Sequence, residues 1–196
     1  ISQPGEMEKL QSIILPTIGV LTNIGEAHSE GFSSLSEKLN EKLKLFTESD
    51  IIIACNDNEE INKALVATGR KLFTCGKNKE ADIEIVSVKK QTYHTEINLQ
   101  FKSQLLHFTI PFTDDASIEN AITCCSVLLY LNISFEKIAG RMNLLQPVNM
   151  RLELKKGINN CSVINDSYSA DLSSLNIALN FLHNQSTRTK KTVILS

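Results

Sequence analysis

The stretch DIIIACN, residues 50–56, restricts the fold more than any other part of the chain, because its apolar residues run without a polar break. A strand turns successive side chains to opposite faces, so an unbroken apolar strand has to be covered on both sides. Parallel sheets with helices over each face provide that cover. The neighbouring segments supply the helices. From Leu35 to Phe46 the residues Leu35, Leu39, Leu43 and Phe46 fall on one helical face, and NEEINKALVATG has the same periodicity after the run. A further strand, TIGVLTN, precedes them, separated by the polar loop GEAHSEGFSS. Two strand-helix units are thus in place by residue 69.

The rest of the chain extends this pattern. Met7, Leu10, Ile13 and Ile14 define a helix from Glu6 to Leu15 that Pro16 ends. KLFTCG and ADIEIVSV read as strands, Tyr93, Thr95, Ile97, Leu99 and Phe101 alternate on one face of another, and QLLHFTIPF forms one more. These predict a small antiparallel addition from about Leu72 to Phe112. Two helices follow, Ser117 to Leu131 and Phe135 to Leu144, and the apolar CCSVLLYL places the first in the interior. Pro147 interrupts the pattern. RLELKKGINNCSVINDS then reads as two strands around a Gly/Asn turn, followed by a helix to about Leu182 and a strand, TVIL. The predicted fold class is α/β: a mainly parallel sheet flanked by helices with a small antiparallel β addition, followed by the start of a second Rossmann-like α/β domain. The predicted domains are 1–147 and 148–196.

Composition removes several function classes. Hydrophobic residues at 42% and charged residues at 21% are ordinary for a globular chain, and no segment is apolar over a membrane-spanning length. A net charge of -2 gives no general attraction to nucleic acid. The five cysteines form no CxxC pair, which speaks against a zinc knuckle or disulfide framework and for a cytoplasmic setting. The chain opens on Ile1 without a signal-peptide series and stops inside an apolar run, so both ends read as cut from a longer protein. None of the eight glycines opens a GxxxxGK[ST] phosphate loop, and no GxSxG, HExxH or GxGxxG motif occurs.

What remains are polar residues at strand ends and in the loops after them, where α/β proteins place their chemistry. His28 lies in the loop after TIGVLTN, although a lone loop histidine is commonly just solvated. Lys42 projects along the edge of its helix's apolar stripe while Lys44 points away; a lysine laying its stem along the core, amine in water, has the same pattern. Asn120, at the entrance to the apolar helix, suits a binding role or a capping amide equally. Arg151 begins a strand after the break at Pro147. Asp166 ends the next one, where an isolated aspartate commonly caps the following helix.

In their order along the chain these segments resemble the Mur ligases, ATP-dependent enzymes that build the peptide stem of bacterial cell-wall precursors. ISQPGEMEKL resembles the stretch after a metal-binding glutamate, and LPTIGVLTNIGEAHSEGF the strand and loop with a magnesium-associated histidine, which implies that role for His28. SLSEKLNEKLKLF places Lys42 where the family has a lysine that is often carbamylated. DDASIENA resembles the segment whose asparagine meets the adenine of ATP, implying Asn120, and QPVNMRLE the interdomain segment whose arginine reaches the nucleotide, implying Arg151. INDSYSADLSSL is similar to the DSYNANPxSM signature of the D-alanyl-D-alanine-adding branch, the MurF type, and brings Asp166 and Tyr168 to the nucleotide. Met150 stands for the usual Gly, Ser169 for Asn and Leu172 for Pro.

The resemblance implies most of a central ATPase domain without its phosphate loop over 1–147 and a truncated C-terminal ligase domain over 148–196. The implied substrates are UDP-N-acetylmuramoyl-tripeptide and D-alanyl-D-alanine, with ATP and Mg2+ in the complete enzyme; the 196 residues alone are expected to be inactive. In some bacteria such a ligase is fused to an alanine racemase, of which this sequence has no segment. The alternatives are another family member such as a folylpolyglutamate synthetase, against which DSYSA speaks, or a non-catalytic binding module of the same fold.

Overall fold

The structure, a computed structural model, describes residues 1–25, 31–146, 148, 152–168, 172–184 and 190–194. It divides into two compact units, Ile1–Leu145 and Gln146–Ser196. The first holds helices α1 (Glu6–Ile14), α2 (Leu35–Lys44), α3 (Glu59–Ala67), α4 (Asp115–Tyr130) and α5 (Phe135–Met142) and strands β1 (Ile18–Leu21), β2 (Ile51–Cys55), β3 (Lys71–Gly76), β4 (Ile83–Lys90), β5 (Thr95–Phe101) and β6 (Gln104–Ile110).

The six strands form one sheet in sequential order, parallel from β1 to β4 and antiparallel from β4 to β6. The antiparallel part is therefore narrower than predicted: KLFTCG is β3 and pairs parallel to β2, so the antiparallel ladder runs from Ile83 to Ile110. Parallel neighbours ordinarily need a long crossover. β3 and β4 manage with six intervening residues because they overlap only at Cys75↔Ile83 and Gly76↔Glu84. The short connection is pinned by Asp82, whose carboxylate accepts the Thr74 backbone N–H at 2.7 Å.

β2 is buried on both faces, as its sequence demands, and its alternate residues divide between two cores. Ile52 and Ala54 join Leu21, Leu39, Leu43, Phe46 and Leu65 under α2 and α3. Cys55 and Cys75 face the other side with Ile83, Ile97, Leu99 and Phe108, where α4 and α5 pack. Gly19 of β1 belongs to the first core by necessity, since a Cβ there would lie 2.6 Å from the Phe46 ring. α4 turns Ile118, Ala121, Ile122, Cys125 and Leu129 inward, in agreement with its apolar sequence.

Helix starts follow from local chemistry. The Ser34, Asn58 and Asp114 side chains accept backbone N–H groups of Glu37, Ile61 and Ser117 at the entrances of α2, α3 and α4. α1 is different. Of its predicted apolar face only Met7 is buried, while Leu10, Ile13 and Ile14 are exposed. Its anchor is polar: buried Glu41 of α2 accepts the Gly5 and Met7 backbone N–H groups at 2.7 and 3.1 Å and pairs with Lys44. Gly5 makes the entry in the left-handed region, φ 88°, which a glycine adopts without strain.

Three further expectations are corrected. Leu35 is 44% exposed, because the first residue of α2 projects beyond the sheet's cover. Tyr93 lies in the turn before β5 and is 80% exposed, so the alternation starts at Thr95. Of TVIL, the described residues through Ile194 form no strand, since they have no ladder partner. In the second unit, β7 (Glu153–Lys156) and β8 (Ser162–Asn165) form an antiparallel pair, and α6 (Leu172–Asn184) follows.

Candidate functional site

The C-terminal ends of β1, β2 and β3 open on a cleft of about 400 Å³, lined by Leu21, Asn23, Cys55, Asp57, Cys75 and Lys77 from the strand side. α4 lends Ile118, Glu119, Ile122 and Thr123. Ligands in parallel α/β sheets bind outside the carboxyl ends of the strands, and this cleft has that placement. Its floor is apolar through Ile85, Ile118 and Ile122, and its rim is mainly acidic through Asp57, Asp115 and Glu119. α4 supplies Asp115 and Glu119 to this rim, and the strand ends supply Asp57. The Asp57 carboxylate accepts the Lys77 N–H at 2.6 Å, and the Asn56 N–H donates to the Cys75 carbonyl at 3.0 Å.

Two lysines of α2 reach the loop after β1. Lys38, only 3% exposed, donates from Nζ to the Gly25 carbonyl at 2.7 Å. Lys42, half-buried one turn further on, approaches the Asn23 carbonyl at 3.4 Å. Burial, and next the positive charge of Lys38, push the Lys42 pKa down from its ordinary 10.5. Lys44 points away and pairs with Glu41 at 2.9 Å, as the helical spacing predicts. Lys42 does not itself line the cleft; it meets the carbonyl of Asn23, which does.

The other predicted residues are placed as follows. His28 and Arg151 lie outside the described residues. Asn120 sits in α4 with an exposed side chain, next to the cleft-lining Glu119. Asp166 belongs to the second unit: its carboxylate accepts the Leu152 N–H at 3.0 Å, tying the end of β8 to the start of β7. Tyr168 is 61% exposed. Sequence reasoning did not single out Lys38, although its spacing of four from Lys42 puts both on one helix face. It also passed over Cys55, Cys75 and Asp57, whose proximity depends on strand register. Among the described residues no group of three histidine, cysteine or acidic side chains is preassembled for a metal ion, and no helix is long and apolar enough to cross a membrane.

Comparison with known proteins follows the same outline. Residues 1–128 match the Mur ligase middle domain. The chain is 27% identical over 198 aligned residues to the UDP-N-acetylmuramoyl-tripeptide–D-alanyl-D-alanine ligase of Bacillus subtilis, covering all of this chain and 42% of that protein. To the UDP-N-acetylmuramate–L-alanine ligase of Endomicrobium trichonymphae it is 28% identical over 77% of the chain and 34% of the relative. A crystal structure of MurF from Acinetobacter baumannii superposes with a TM-score of 0.81 at 20% identity, over 94% of this chain and 41% of that one. The apo form of L. casei FPGS shares the fold with a TM-score of 0.67 at 12% identity, over 88% of this chain and 43% of that one. The chain therefore spans about two fifths of the length of the relatives it matches.

Proposed function

The chain belongs to the Mur ligases, and from that premise we propose that its parent protein is an ATP-dependent amide ligase of peptidoglycan precursor synthesis, joining D-alanyl-D-alanine to UDP-N-acetylmuramoyl-tripeptide. Support for this branch comes from the B. subtilis ligase of that name, whose match extends over the whole chain, and from the INDSYSADLSSL segment. In the proposed reaction the tripeptide carboxylate takes the terminal phosphoryl group of ATP, the D-alanyl-D-alanine amine attacks the acyl phosphate, and the amide forms as phosphate leaves. Residues 1–147 supply part of a cytoplasmic enzyme's central domain and 148–196 the start of its C-terminal domain.

The observation that carries the reading is Lys42, half-buried beside the Asn23 carbonyl of the loop after β1, with its ordinary basicity reduced. Magnesium takes oxygen ligands, so an ammonium at this place does not fit the metal. A neutral amine that has added carbon dioxide does, because a carbamate is an anionic oxygen donor; Lys42 in that form, with His28, would hold the ion. The chemistry such an ion would supply is neutralisation of phosphate charge. Lys38 keeps the Gly25 carbonyl in place and favours the neutral state of Lys42. Asn120, Arg151, Asp166 and Tyr168 are assigned to the nucleotide.

Phosphate release by the complete gene product is the test. It is expected to require ATP, UDP-N-acetylmuramoyl-tripeptide and D-alanyl-D-alanine together. Lys42→Ala should lower it by about 100-fold, the scale of a misplaced reacting group, and bicarbonate or short carboxylic acids should restore part of it. Release dependent on UDP-N-acetylmuramate and L-alanine, or on a folate and glutamate, would move the protein to another branch; binding without any release would make it a binding module. The 196-residue chain itself should stay at background, since it contains no GxxxxGK[ST] loop.

A further inference from the structure

Cys55 and Cys75 are register partners in the parallel pair β2 and β3, and both line the floor of the cleft. Paired strands run ~4.8 Å apart, within the Cα separations that disulfides span. The side chains of directly opposed residues leave the sheet on the same face, here toward α4. Cys55 is partly open to the cleft, and Cys75 is buried behind it. We propose that this pair is an oxidant-responsive modification site, in which Cys55 is oxidised by a peroxide and Cys75 resolves it to a Cys55–Cys75 disulfide.

The surroundings suit each thiol to its part. The neighbouring Cys75 thiol has the largest effect on Cys55 and, with the backbone N–H of Asp57, outweighs burial and brings the Cys55 pKa down to about 7. A lowered pKa enlarges the share of thiolate, the nucleophilic form. Cys75 is pushed up, first by Cys55 and then by burial. In the first step the Cys55 thiolate attacks hydrogen peroxide, the O–O bond breaks, and hydroxide leaves, giving a neutral sulfenic acid. The main cause of the raised Cys75 pKa disappears with the Cys55 anion. The Cys75 sulfur then attacks the sulfenic sulfur, the S–O bond breaks, and its proton leaves with the oxygen as water. Two thiols lose two electrons and one peroxide becomes two waters.

The remaining cysteines act as internal controls. Cys124 and Cys161 are more exposed than Cys55 but have no thiol partner in register, and Cys125 is buried, where burial pushes its thiol up to about 12. The inference does not depend on the ligase assignment, because its readout is thiol chemistry alone.

The test is to treat the reduced chain with stoichiometric hydrogen peroxide and map it by mass spectrometry. The expected result is loss of two of the five thiols and recovery of a peptide pair linked through Cys55 and Cys75, reversed by dithiothreitol. In Cys75→Ala the linkage should vanish and a Cys55 sulfenic acid should be trapped by dimedone. The pH midpoint of Cys55 alkylation should also move from about 7 toward the ordinary 9.0. Oxidation of Cys124 or Cys161 ahead of Cys55 in the unsubstituted chain would overturn the proposal, as would an alkylation midpoint that Cys75→Ala leaves unmoved.

Discussion

Four successive residues of β2, Ile51 to Ala54, are buried, whereas β5 buries Thr95, Ile97 and Leu99 and turns Gln100 to solvent. Both strands lie in the same sheet, with β3 and β4 between them. The difference comes from what covers them. β2 lies between the α2–α3 core on one face and α4 on the other, while β5 has α4 and α5 over one face only. The cleft lies at the C-terminal ends of the parallel strands, and the antiparallel strands support α4 from beneath. A sheet covered on both faces leaves only its ends open, and the cleft lies where the parallel strands stop.

The most severe way to break this comparison is core truncation. Ile52→Ala and Ile53→Ala should each cost about 2–4 kcal/mol, although they face opposite sides, and Leu99→Ala should cost as much. Gln100→Ala should stay within about 0.5 kcal/mol. Urea unfolding of the four variants decides it; a mild Ile53→Ala would mean that β2 is effectively one-sided.

Next in size is the buried carboxylate that ties α1 to the parallel half. Glu41→Ala leaves two backbone N–H groups of the α1 entrance without their acceptor and should cost about 2 kcal/mol. Burial works against the Glu41 charge, yet Lys44 and the Met7 and Gly5 N–H groups together hold its pKa below the ordinary 4.5. Because the folded value is the lower one, this stabilisation is complete above the unfolded pKa and is lost as pH falls through the folded one. Stability measured from pH 6 downward should therefore fall less steeply in Glu41→Gln than in the unsubstituted chain, and parallel curves would contradict the assignment.

The smallest effect is expected in the antiparallel half. The buried Thr95 hydroxyl donates to the Phe112 carbonyl at 2.6 Å, closing the sheet's far edge. Thr95→Val keeps the shape and removes that bond, so about 1 kcal/mol should be lost. An unchanged urea midpoint would show that the edge is held by apolar packing alone.

Much of this architecture was legible because it depends on short-range pattern. The unbroken IIIAC predicted two-sided burial, the alternation from Tyr93 to Phe101 predicted a one-sided strand that begins at Thr95 in the fold, and the apolar periodicity marked α2, α3 and α4. Lys42 was legible for the same reason, as a helix edge can be counted at about 100° per residue. Residues whose role depends on the partner strand were not. Nothing local to Cys55 points to Cys75, twenty positions away, because their meeting requires β2 and β3 to pair in one register out of several. Asp166 has the local setting of a helix cap, and only the β7–β8 pairing shows its carboxylate accepting from Leu152. The apolar face of α1 misled in the opposite direction: periodicity predicts that a helix has such a face, but only the tertiary structure decides whether another surface covers it. The sequence by itself determined most of the helices and strands and which of their faces are apolar, since those follow from covalent geometry and side-chain spacing. Register, the convergence of strand ends on one cleft, and the altered acidity of Lys42 and Cys55 were decided by the fold, because each depends on atoms that approach only when distant segments pack and exclude water.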